Sequence, residues 1–151
     1  MNVNNSNSEL IDRLNKLLTR TREGERGYQE ASENVKDPEL KSLFLAQSRQ
    51  RSEFAMEIDR EIRTLGGQPD DSTSLASDLH RAWLNLKSSF SSNDDKAVVE
   101  ECKRGDGVAV DDYNDILQST TLMASSRELL LRQKERIEAA HASMTRLANV
   151  V

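Results

Sequence analysis

Ser125–Leu147 reads SSRELLLRQKERIEAAHASMTRL, and its period constrains what the rest of the chain has to be. Ser126, Leu130, Gln133, Ile137, Ala140 and Met144 recur at three and four, so they share one face of an α-helix. The stretch also holds Glu138-x-x-His141, a pattern that serves as a metal-ligand pair when it points into a helical bundle. At 100° per residue His141 lies about 60° from the centre of the apolar face and Glu138 about 120° from it. Glu138 is therefore expected in solvent and His141 at the boundary. A long amphipathic helix with a doubtful ligand pair needs partner helices to cover it.

The rest of the chain supplies them. Leu10, Leu14, Leu17, Leu18, Thr21, Tyr28, Ala31 and Val35 mark the buried face of a first helix. Ser8 is its expected cap, after a flexible tail at 1–8. Asp37-Pro38 ends it, because the residue before proline is pushed out of the α region, and the same pair opens the next helix. That second helix runs to about Leu65, with Leu40, Leu43, Phe44, Gln47, Arg51, Phe54, Ile58, Ile62 and Leu65 inward, and Gly66-Gly67 stops it. A connector follows from Gln68 to Asn93, with a shorter helix expected at about 74–90 carrying Leu75, Leu79, Trp83, Leu86 and Phe90. A third long helix is expected from about Asp94 to Ser119, with Val98, Cys102, Ala109, Tyr113, Ile116 and Leu117 on one face. Gly105 and Gly107 inside it each cost about 1 kcal/mol against alanine, so a kink is expected there if anywhere.

Two hairpins of long helices joined by a long connector form the layout of bundles with one crossover. The fold class expected is all-α: a ferritin-like four-helix bundle, two antiparallel hairpins joined by a long crossover containing a shorter helix. Residues 9–151 form its single domain.

The 151 residues carry a formal net charge of −5, which argues against a nucleic-acid partner, since phosphate recognition needs a basic patch. The lone Cys102 excludes an intramolecular disulfide and fits a reducing cytoplasm. The start MNVNNSNSEL lacks a basic segment followed by an apolar one, so no secretory signal is expected. No run of apolar residues is long enough to span a bilayer. A cytoplasmic location is the expectation.

Six stretches, in order, resemble a bacterial family of ferritin-like four-helix proteins of unknown function. They are Gly27-Tyr28, Arg51 to Phe54, Gly66-Gly67-x-Pro69, His80-Arg81-x-Trp83, Glu101-Cys102 followed by Tyr113, and Ala140-His141. The resemblance spans about residues 9 to 147. It implies the fold and, because the family's role is not established, no activity and no functional residues.

Chemistry has to be read from the inward polar residues. No second Glu-x-x-His exists on the second helix: Met56 follows Glu53 at three and Arg60 follows Glu57. Glu25, Asp106, Gln47, Arg51, Gln133 and His141 are expected to form a polar layer across the bundle. Buried charges must be paired or bound to metal, and two readings compete. Glu25, Asp106 and His141 are the candidate ligands of a reduced metal site for iron, manganese or zinc. Alternatively Arg51 supplies the positive charge and neutralises Glu25 or Asp106. The ion-pair reading is favoured, since an arginine is present and the ligand count falls short; no catalytic residue or cofactor is expected. Cys102 reads as a small buried hydrophobe, and Trp83 as the packing anchor of the crossover.

Three functions follow from this. The favoured one is a non-catalytic bundle, stress-associated by analogy with the ferritin-like proteins it resembles, acting through self-association, most simply as a dimer, or through a protein partner. The second is a metal-dependent oxidase or metal-binding protein with a reduced ligand set. The third is a binding module using the stripe of Trp83 and Phe90.

Overall fold

The structure is a computed structural model. It describes residues 2–70, 94–119 and 122–150, with side chains from residue 7 onward. Its four helices are α1 (Asn2–Asn34), α2 (Pro38–Thr64), α3 (Asp95–Leu117) and α4 (Ala124–Ala148). Every position assigned inward on α1 from the sequence is buried, and so are Leu40, Phe44, Arg51, Phe54, Ile58 and Ile62 of α2. The local signals at the helix ends act as expected. The Asp37 carboxylate accepts from Glu39 N and Pro38 occupies the first turn, and Gly66 leaves α2 at φ +89°, a conformation closed to most side chains.

Two boundaries differ from the reading of the sequence. Helix α1 begins at Asn2, so residues 2–8 of the expected tail are helical and Ser8 lies inside the helix rather than capping it. Asn and Ser cost only tenths of a kcal/mol each in a helix, about 0.7 at most, and each added residue gains a hydrogen bond once a helix exists. Helix α3 is continuous through Gly105 and Gly107, because the packed faces on either side outweigh the two glycines. The expected crossover helix at 74–90, with His80, Trp83 and Phe90, lies outside the described residues.

Cross-helix contacts fix the topology. Ser48 Oγ donates to Glu25 O at 3.0 Å and Asn15 Nδ2 to Gln68 O at 3.1 Å. Ascending α1 thus meets descending α2. Tyr113 bonds Gln133 while Arg127 Nη1 donates to Leu117 O at 3.1 Å, so α3 and α4 are antiparallel too. The amides of Lys36 and Asp37 donate to the Asp95 carboxylate at 2.9 and 3.1 Å, and Arg13 donates to Asp115 O. Helix α3 therefore also runs against α1, giving up-down-down-up. Helix α2 ends beside Asn15 and α3 starts beside Lys36, about 30 Å apart along α1 at 1.5 Å per residue. A tight hairpin turn cannot cover that distance, so the order of the four helices requires a crossover.

Two apolar clusters fill the interior. One gathers Leu14, Leu18, Phe54, Ile58, Leu130 and Ile137 among others. The other gathers Tyr28, Val35, Leu40, Phe44, Val98, Cys102 and Met144. Between them lies the polar layer.

Candidate functional site

The layer takes one residue from each of three helices. Tyr28 of α1, Arg51 of α2 and Asp106 of α3 stand on the inward faces of their helices and are 4%, 3% and 1% exposed. Arg51 Nη2 donates to Asp106 Oδ1 at 2.6 Å and the Tyr28 hydroxyl donates to Oδ2 at 2.7 Å. The guanidinium carbon sits 5.5 Å from the centroid of the Tyr28 ring, within range of a cation–π attraction. Gly24 lets the arginine in: a Cβ there would stand 3.0 Å from Arg51 Nη1. Both carboxylate oxygens are engaged, and the counter-charge is provided by the chain itself.

Burial pushes the Asp106 carboxyl above its ordinary value. The Arg51 charge, the hydrogen bonds from Tyr28 and Arg51, and nearby His141 pull it part of the way back. Burial, with the Asp106 charge beside it, also pushes the Tyr28 phenol up, so Tyr28 stays protonated and remains the donor. Burial raises the Cys102 thiol, and the Asp106 charge adds to the effect. A thiol held protonated in this way is a poor nucleophile, in keeping with Cys102 as a packed hydrophobe.

A second polar chain lies alongside. The Tyr113 hydroxyl donates to Gln133 Oε1 at 2.6 Å, and Gln133 Nε2 donates to Glu57 Oε1 at 3.0 Å. Glu57 is half-buried and carries the chain to the surface. Neither tyrosine hydroxyl nor Glu57 stood out in the sequence. The available signal was that a tyrosine on an apolar helix face must find a partner for its O–H.

The three candidate metal ligands part company. Asp106 lies at the heart of the layer and is bound to Arg51. His141 is half-buried beside it, with Nδ1 buried and unpartnered, while Glu138 is exposed. Glu25 is not in the layer: it is half-buried and lines a surface cleft between α1 and α2. The expectation that it joins Asp106 fails because Gly24, one residue earlier, is what faces Arg51, and a step of 100° turns Glu25 toward the groove. Gln47 is half-buried and its Oε1 has no partner.

A ferritin-like fold raises the question of a di-metal centre. The residues do not fit one. Arginine occupies the inner position of α2, Asp106 is saturated by Arg51 and Tyr28, and no three His, Cys, Asp or Glu among the described residues come together as a ligand set.

A profile of the family described as a domain of unknown function, DUF2383, matches residues 9–119. The chain belongs to this family. No protein of curated function matches it. Among solved structures, this DUF2383 chain resembles a point mutant of Mycobacterium smegmatis Dps1 at a TM-score of 0.80, covering 95% of this chain and 97% of that one at 15% identity. At so low an identity the structural likeness shows the ferritin-like four-helix fold alone and leaves the role open. No helix among the described residues of the DUF2383 chain is long and apolar enough to cross a membrane.

Proposed function

We propose that this ferritin-like domain is a non-catalytic helical protein that works through contacts with copies of itself or with a protein partner. In this reading its central layer is a structural ion-pair network. The observation that carries the proposal is the Arg51–Asp106 pair with Tyr28 on the second carboxylate oxygen. A site meant for a cation does not fill its best carboxylate with an arginine and a phenol, since either must leave before a metal can bind. The settings proposed for it are the cytoplasm, from the lone Cys102 and the polar start of the sequence, and, by resemblance alone, a bacterial stress response, with a dimer as the simplest closed assembly.

The first test is metal content by mass spectrometry, before and after aerobic incubation with ferrous iron. The expected outcome is substoichiometric metal in both samples. Near-stoichiometric metal that disappears in Asp106→Ala or His141→Ala would sink the proposal and point to a metal-dependent oxidase or metal-binding protein. Light scattering across a range of concentrations then tests self-association. A monomer throughout would leave a different protein as the partner.

A further inference from the structure

Away from the layer, α1 and α2 meet at the surface around a cleft of about 470 Å³. Its polar lining includes Arg22, Glu25, Asp59, Arg60 and Arg63, and Met56 supplies an apolar wall that is 59% exposed. Arg63 Nε donates to Asp59 Oδ1 at 2.8 Å, so those two charges answer each other. Arg22 and Arg60 are different: their guanidiniums make no hydrogen bond or ion pair among the described residues. The Glu25 carboxylate is equally unengaged.

With 26 acidic residues against 21 basic ones, carboxylates are in excess, and Arg13, Arg20, Arg104 and Arg132 each have one within ion-pair distance. Arg26, Arg49 and Arg136 also lack a partner among the described residues, but none of them lines the cleft; Arg22 and Arg60 bring two open guanidiniums to one concave site. A guanidinium presents a planar fork that matches phosphate oxygens in a bidentate way. The net charge of −5 repels long polyanions, so the fitting anion is small. Glu25 can accept from a hydroxyl, and Met56 offers a polarizable face to a ring or carbon skeleton.

We propose that the α1–α2 cleft binds a small hydroxyl-bearing organic phosphate. Its phosphate lies on Arg22 and Arg60, a hydroxyl donates to Glu25, and its body rests on Met56. The site is separate from the central layer and stands whether or not the proposed function does.

Calorimetric titration of the full chain with AMP and with ribose 5-phosphate tests it. Saturable one-to-one binding is expected for at least one of them, with inorganic phosphate weaker by about tenfold or more, the worth of a hydrogen bond to a charged group. Arg22→Ala and Arg60→Ala should each weaken binding by about tenfold or more on the same basis. Arg60→Lys, which keeps the charge and removes the fork, should weaken it too. Arg136→Ala, removing an exposed and likewise unpaired arginine of α4, should leave it unchanged. Absence of saturable binding by both compounds overturns the proposal. So does equal affinity for inorganic phosphate, or an equal loss in Arg136→Ala, which would mean attraction to charge in general.

Discussion

Towards the end of α2, Leu14, Ile58, Ile62 and Leu130 belong to a predominantly apolar cluster, whereas near the middle of α2 and α3 the same bundle buries Arg51, Asp106 and Tyr28. The apolar cluster is held by many small contacts, each about 0.1–0.2 kcal/mol. Losing one side chain leaves a hole and little else. The polar layer is held by a few bonds whose partners cannot do without one another, since a buried charge that loses its counterpart keeps its desolvation cost. One region tolerates deletion in proportion to size, and the other fails by pairs.

The sharpest way to break this contrast is Asp106→Ala. It strands Arg51, and a loss of about 3–5 kcal/mol is expected in chemical denaturation. Adding Arg51→Met should restore most of it, because an apolar side chain of similar volume removes the stranded charge. Leu14→Ala in the apolar cluster should cost about 2–5 kcal/mol, and no second deletion should restore it. If Arg51→Met fails to rescue Asp106→Ala while Arg51→Met alone is harmless, the interdependence claimed for the layer is wrong.

A smaller effect separates the two carboxylate oxygens. Tyr28→Phe removes only the hydroxyl on Oδ2 and should cost about 1.5–3 kcal/mol, the range for a hydrogen bond to a charged group. A change below about 0.5 kcal/mol, within the usual scatter of surface substitutions, would show that Arg51 alone satisfies Asp106.

The smallest effects compare glycines. A Cβ at Gly24 would press on Arg51 Nη1 at 3.0 Å, and that guanidinium is pinned by Asp106, so Gly24→Ala should destabilise by about 1–3 kcal/mol. Gly105 is exposed, with nothing within 4 Å of an added Cβ. Gly105→Ala should therefore stabilise by up to about 1 kcal/mol through helix propensity. Opposite signs in thermal melts are expected; the same sign at both sites would mean that Gly24 is not part of the arginine's seat.

Helix identity and facing were legible residue by residue. The period of three and four is a local property, so Leu14, Phe44, Ile58, Tyr113 and Ile137 could be placed inward without knowing their neighbours, and Asp37-Pro38 and Gly66 carry their own backbone preferences. The wheel also placed Glu138 outside and His141 at the boundary, as found. Partner choice was not legible. The sequence offered Arg51 either Glu25 or Asp106, and it did not reveal that Tyr28 and Gln133 would complete the two polar chains. Those outcomes depend on how far each helix slides and rotates against the next. Such offsets are set by packing across the whole bundle, where 100° of turn at one residue decides between Gly24 under the guanidinium and Glu25 in the outer cleft. The sequence determined most of the apolar residues that would be buried; only the tertiary structure decided which of the inward residues would meet.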